Sequence, residues 1–173
     1  MRSSMHSVSI AIAAVVITSA TCLPVVAATP APTTPAGSAP SPACALLTKE
    51  DAAAALGVAV TGPKAVSSRP MGPGSTVSNC SYSGPGYEKV NVNLYNMGPD
   101  LLQMYRGKCA QKDHQGLEGL GDLACWYNAE HGELQVIKGK NMISIQLQKS
   151  GDPTAAIKDV MKKAVGRLGT GGA

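Results

Sequence analysis

The chain has no phenylalanine, one tryptophan and five tyrosines, and only 15% of its residues are charged. So few large aromatics leave a core that must be built from Val, Ile, Leu, Met and Ala, whose side chains each bury less area than an aromatic ring. The net charge of +4 is small and dispersed, without the basic stripe that a nucleic-acid surface needs. There is no C-x-x-C pair, no G-x-S-x-G elbow, no S-x-x-K and no Gly-Lys-Ser/Thr ending after a glycine loop. Thioredoxin-type redox chemistry, the commoner serine-nucleophile motifs and a P-loop are thereby set aside. No cofactor and no metal is implied.

What is present at the start is a targeting pattern. Arg2 precedes the apolar run Val8 to Ile17, and small residues follow up to Val25-Val26-Ala27-Ala28. This reads as a secretory signal peptide over 1–28, cleaved after Ala27 or Ala28. The run is shorter than the roughly 20 apolar residues of a membrane span, so no transmembrane segment is expected in the mature form. Cys22 is the alternative processing point: it follows the apolar stretch and precedes a proline-rich tether, as a lipidated cysteine does. Its preceding Ser19-Ala20-Thr21 fits the lipoprotein pattern poorly. Residues 29–43 contain only Pro, Ala, Thr, Ser and Gly, a composition that cannot make an apolar face and reads as an extended linker.

A single domain is expected over 44–168, with 169–173 as a flexible tail. Thr48 caps a helix whose first turn holds Glu50 and Asp51 at the positive end of its dipole, and Gly57 supplies the left-handed stop. The Gly- and Pro-rich stretch from Val58 to Thr76 reads as a short strand and then a loop. Val77 to Ser83 and Tyr87 to Tyr95 form a hairpin about Gly84-Pro85-Gly86, with Val90, Val92 and Leu94 alternating against Asn91 and Asn93, one face buried and one wet. Pro99 opens a second helix with Leu101, Leu102 and Tyr105 packing inward. Three strands follow, Leu123 to Glu130, Glu133 to Lys138 and Asn141 to Lys149, with turns at His131-Gly132 and Gly139-Lys140.

The last helix starts at Asp152-Pro153 and presents Ile157, Val160, Ala164 and Leu168 as one stripe, with Lys158, Asp159, Lys162 and Lys163 largely facing away. The fold class is α+β: a mainly antiparallel sheet of five to six strands packed by about three helices, with two disulfides. Hairpin plus helix and meander plus helix have the outline of a degenerate structural repeat, but no residue-level identity supports one.

With the signal removed, five cysteines become four: Cys44, Cys80, Cys109 and Cys125. An even count in an exported chain reads as two disulfides. Of the three pairings, Cys44 with Cys80 and Cys109 with Cys125 is preferred. The first ties the start of the capped helix to a strand, and the second closes the link between the second helix and the next strand. Closing these loops is worth about 4 and 3 kcal/mol by the chain-entropy argument, a substantial share for a domain poor in aromatics.

Candidate sites are few. His114 and Glu118 stand four apart, and His131 lies near Glu133, but two histidines of unknown separation read as solvated loop residues rather than metal ligands. Glu130 and Glu133 flank a turn and read as exposed rim. Gly119-Leu120-Gly121-Asp122 reads as a tight turn with Asp122 bonding its own backbone. Tyr95, Tyr105, Trp126 and Tyr127 are the amphipathic groups suited to a ligand surface, and Trp126, Tyr105 and Tyr127 are the candidates retained. As neighbours on a strand, Trp126 and Tyr127 point to opposite faces and cannot both lie in the core. The basic groups of the last helix and of the Lys138 to Lys140 turn could hold an anionic polymer or lipid surface weakly, though a solvated face accounts for them more simply.

Three segments carry a resemblance. Cys44-Ala45-Leu46-Leu47-Thr48-Lys49-Glu50-Asp51 running into Ala55-Leu56-Gly57, then Asn79-Cys80-Ser81-Tyr82, then Gly119-Leu120-Gly121-Asp122 before an aromatic strand, resemble a bacterial family of secreted proteins and lipoproteins known only as a domain of unknown function. The resemblance spans about 44–168. It implies a compact α/β domain displayed outside the cytoplasmic membrane, its first cysteine paired to the one in the Cys-x-Tyr strand, and it supplies no catalytic residues. The poor lipobox departs from the common layout of that family.

The expected function is a non-enzymatic binding module, secreted or periplasmic, or else lipid-anchored at the envelope. Its partner would be an envelope or extracellular protein, polymer or small ligand, and not a nucleic acid. The rivals are a small secreted hydrolase with a dispersed site and a secreted protein inhibitor.

Overall fold

The computed structural model describes residues 41–128, 130 and 132–170. The signal segment, Cys22, His131 and residues 29–40 and 171–173 lie outside the described residues. A short 3₁₀ turn, Pro42–Ala45, leads into α1 (Lys49–Leu56), β1 (Thr61–Pro70), β2 (Thr76–Ser83), β3 (Lys89–Asn96), α2 (Pro99–Cys109), β4 (Leu123–Trp126), β5 (Glu133–Lys138), β6 (Asn141–Gln148) and α3 (Thr154–Thr170). Among the described residues the fold is therefore α+β, with three α-helices on one antiparallel sheet in the order β1-β2-β3-β6-β5-β4. Packing begins before Cys44: Ser41 and Ala43 are buried, and the Ser41 hydroxyl donates to the Asn79 carbonyl at 3.0 Å.

Two three-stranded meanders meet through their third strands, β3 against β6, from Lys89 opposite Gln148 to Asn96 opposite Asn141. Each is followed by a helix, which gives the halves the same element order. Their helices nevertheless pack on opposite sides. α3 and α1 cover the face made by Val90, Val92, Ile143, Ile145, Leu134 and Val136, all fully buried. α2 lies on the other face, where Leu101, Leu102 and Tyr105 pack against Met97, Ile137 and Met142. A repeat related by an axis through the sheet would keep both helices on one side, so the shared strand order does not extend to the packing.

The local signals of the sequence explain most elements. Thr48 Oγ1 accepts from the Asp51 backbone N–H at 3.2 Å while the Asp51 carboxylate accepts from Thr48 N–H at 3.3 Å, a reciprocal cap on α1. Gly57 ends the helix in the left-handed region. α1 buries Ala52, Ala55 and Leu56, short side chains that let it lie close to α3. In α3, Ile157, Val160, Met161 and Ala164 are buried as a helical stripe. Lys163 lies off the buried stripe as expected, half exposed, but it is not free in solvent. Its ammonium pairs with Asp51 at 2.7 Å, and the Arg167 guanidinium pairs with the other oxygen of that carboxylate at 2.6 Å. Burial disfavours the Asp51 charge, but hydrogen bonds from Lys163, Arg167 and Thr48 outweigh it and hold the carboxyl well below the usual range.

β1 is a ten-residue strand where a short strand and a loop were expected. Every residue of it is exposed, and its register shifts twice against β2, between Thr61 and Lys64 and between Val66 and Arg69. An edge strand packed on neither face has no need of alternating hydrophobicity, and its prolines and bulges discourage further strand addition. β4 is shorter than expected and ends at Trp126.

Asp122 does not bond its own backbone. It accepts from the Gly139 N–H at 2.7 Å and from Arg106 at 3.4 Å, tying the glycine turn to the β5–β6 turn and to α2. Gly121 sits at φ +64, and a Cβ there would come within 2.6 Å of the Ile137 carbonyl oxygen, so this position of the Gly-Leu-Gly-Asp motif admits only glycine. The two disulfides join Cys44 to Cys80 and Cys109 to Cys125, with Cα separations of 5.0 and 5.6 Å.

Candidate functional site: a tyrosine cleft on the polar face of the sheet

The strand period of two sends every second side chain away from the main core. On that second face, the apolar side of α2 packs on the row of Tyr95, Met142, Ile137 and Leu123, and its last residue, Cys109, is bonded to Cys125. The next two rows are mostly polar: the first is half-buried from Ser81 to Glu133, while in the second Ser144, Gln135 and Cys125 are buried beside the end of α2. One runs Lys64, Ser81, Asn91, Gln146, Glu133 across β1, β2, β3, β6 and β5; the other runs Val66, Asn79, Asn93, Ser144, Gln135, Cys125.

Where these rows meet α2 there is a cleft of about 590 Å³. Tyr95, Tyr105 and Tyr127 supply its aromatic walls, Glu133 and Gln135 its floor, and the Cys109–Cys125 disulfide a fixed side. The Tyr95 and Tyr105 rings lie 6.2 Å apart and tilted by 39°. Burial raises the Tyr95 hydroxyl above its ordinary value, and the neighbouring Tyr105 and Glu133 push it further. Lys108 stands 5.7 Å from the Tyr105 ring and Lys112 5.3 Å from the Tyr127 ring, both within cation–π range.

Glu133 is not exposed rim. One of its carboxylate oxygens accepts from the Ser144 hydroxyl at 2.8 Å and from the Gln135 amide at 3.1 Å, which fixes the floor of the cleft. Among the described residues lining the cleft it is the only carboxylate.

The sequence-based candidates separate clearly. Trp126 is 2% exposed, in the main core, and its indole N–H donates to the Gln115 carbonyl at 3.3 Å; it presents no face to a ligand. Tyr127, just past β4, is 50% exposed and lies in the cleft with Tyr105. His114 lies apart, its Nδ1 bonded to the Ala124 carbonyl at 2.6 Å, and among the described residues no three His, Cys, Asp or Glu side chains gather as a metal site would require. Glu133, Gln135 and Ser144 were missed as functional candidates. Their signal was present: polar residues alternate with Leu134, Val136, Ile143 and Ile145, which marks the second face of two central strands.

No family model, curated protein or solved structure matches the chain. The two disulfides fit an oxidising compartment, and no described helix is long and apolar enough to cross a membrane.

Proposed function

We propose that this chain is an exported, disulfide-stabilised binding module of the envelope or extracellular space, and that its ligand surface is the cleft of Tyr95, Tyr105 and Tyr127 on the polar side of the sheet. The observation that carries the reading is the asymmetry of the two faces. One face is sealed by α1 and α3, whereas the other, packed by α2 along one edge, keeps the polar row Ser81, Asn91, Gln146 and Glu133 half-buried beside clustered tyrosines. A concave site with aromatic walls and a few fixed polar groups is the usual form of a small-ligand or polymer site. The disulfide between Cys109 and Cys125 supports the reading, since it anchors the end of α2 beside the cleft and limits its movement.

The export signal over 1–28 and the resemblance to a secreted and lipoprotein family support the location. Nitrogen-15 NMR of the full chain, titrated with a panel of mono- and disaccharides, short peptides and carboxylates, tests the site. Shifts should gather at Tyr95, Tyr105, Tyr127 and Gln135, and Tyr105→Ala with Tyr127→Ala should weaken the best binder at least tenfold. Shifts confined to α1, α3 or the exposed β1 edge would overturn the assignment.

A further inference from the structure

The polar surface does not stop at the tyrosine cleft. A second concavity of about 390 Å³ lies over β1, β2 and β3, floored by Asn79, Ser81, Asn91 and Asn93 and edged by Lys64 and Lys89. Gln146 of β6 borders it and stands directly opposite Glu133, which floors the first cleft. The two concavities thus adjoin at the Gln146–Glu133 pair, and the half-buried row Ser81, Asn91, Gln146, Glu133 makes a track across the sheet from β2 to β5, beside the buried Ser144 and Gln135.

The chemistry along the track is repetitive. Asn79 pairs with Asn93, and Asn91 donates to Gln146 at 3.3 Å, each pair joining neighbouring strands. A carboxamide carries one acceptor and two donors, so a single amide–amide bond still leaves each pair able to donate and to accept. Neighbouring strands place such groups at steps of roughly 4.8 Å, close to the length of one sugar residue in an extended chain. Hydroxyl groups also donate and accept, and a row of amides meets them without a preferred direction. The tyrosines at one end offer ring faces to the C–H side of a sugar. The charges near the track are unbalanced: Lys64 and Lys89 edge one end and Lys108 and Lys112 the other, while the one lining carboxylate, Glu133, is engaged by Ser144 and Gln135.

We infer that the occupant of this track is an acidic polysaccharide, a hydroxyl-rich polymer lying across the strands with its negative groups toward the lysines at both ends. The inference rests on the binding-module reading and extends it from the cleft to the whole polar face. The full chain is titrated by calorimetry with alginate, with dextran as a neutral glycan, and with polyglutamate as a carboxylate polymer lacking hydroxyls.

Alginate should bind at least tenfold more tightly than either. Asn91→Thr with Asn93→Thr, which keeps strand-favouring residues, should weaken alginate at least tenfold, and Lys158→Gln with Lys162→Gln on α3 should change it less than twofold. Nitrogen-15 shifts of the unsubstituted chain with short alginate oligomers should extend from Tyr127 to Asn79, which tests the track without relying on a variant's folding. Equal binding of polyglutamate, loss of binding in the α3 variant, or no alginate binding would each overturn the inference. Shifts confined to the tyrosine cleft, with a small ligand bound there, would overturn the polymer and leave the cleft standing.

Discussion

Asp51 is where the α1 cap, the α1–α3 contact and the charge of α3 converge, so replacing it by Asn should cost more than an ordinary surface substitution. The side chain of Asp51 is about 10% exposed, against 34% for Arg167 and 50% for Lys163. The Lys163 contact is largely solvent-screened and is worth under about 1 kcal/mol. The shielded bond from Arg167 falls in the range of about 1.5–3 kcal/mol for hydrogen bonds to charged groups. Asn keeps an acceptor for the Thr48 N–H, so the cap survives in weakened form. The expected loss at pH 7 is therefore about 2–3 kcal/mol, or a fall of about 10 °C in Tm for a domain of roughly 130 residues.

The pH dependence is the stricter check. The folded carboxyl ionises well below its unfolded value, so its stabilisation is fully present above the unfolded pKa and is lost as pH falls toward the folded one. The gap between the unsubstituted chain and Asp51→Asn, followed by urea unfolding, should be constant from pH 8 to 5 and shrink only below about pH 4. A gap under 0.5 kcal/mol at pH 7, or one that persists unchanged at pH 2, would refute the role given to this carboxylate.

Three further outcomes are expected, two from the fold and one from the reading of the N-terminal segment. Gly121→Ala must accept a positive φ and push a Cβ into the β5 backbone, costing about 3 kcal/mol, whereas Gly119→Ala, with open space around it, should cost about 1 kcal/mol; equal losses by thermal unfolding would contradict the close approach. Replacing both Cys109 and Cys125 by Ala should lower stability by about 3 kcal/mol in denaturant unfolding, and reducing agent should then have no further effect on that loop. The intact mass of the exported protein should correspond to a start at Ala28 or Thr29, and a diacylated start at Cys22 would instead place the chain on a membrane surface.

The parts of the fold legible in the sequence are those whose physics is local. Thr48, Asp51 and Gly57 mark α1 because a cap needs particular atoms at fixed offsets, and Ile143, Ile145 and Leu147 mark β6 because one of its faces is fully buried. β1 was hidden for the converse reason. Its hydrogen bonds come from β2, while its side chains meet solvent on both faces, so composition recorded only the glycine and prolines. The partners of Asp51 and Asp122 were equally out of reach. Lys163 is 112 residues from Asp51 in the chain, and no spacing rule connects them.

The site was half legible for the same reason. Tyr105 and Tyr127 stood out because large aromatics are so scarce, but so did Trp126, and scarcity does not say which ring the core will claim. The register decides it: Trp126 stands opposite Leu134, in the row that faces α3, and the next residue must turn outward. The polar rows were visible strand by strand as Asn91, Asn93, Ser144 and Gln146, yet they become one surface only once β3 pairs with β6. A sheet sealed on one face by helices and held by two disulfides needs little apolar burial on its other face. The disulfides offset part of what an aromatic-poor core lacks, which lets amides occupy positions on that face that a larger hydrophobic core would otherwise have taken.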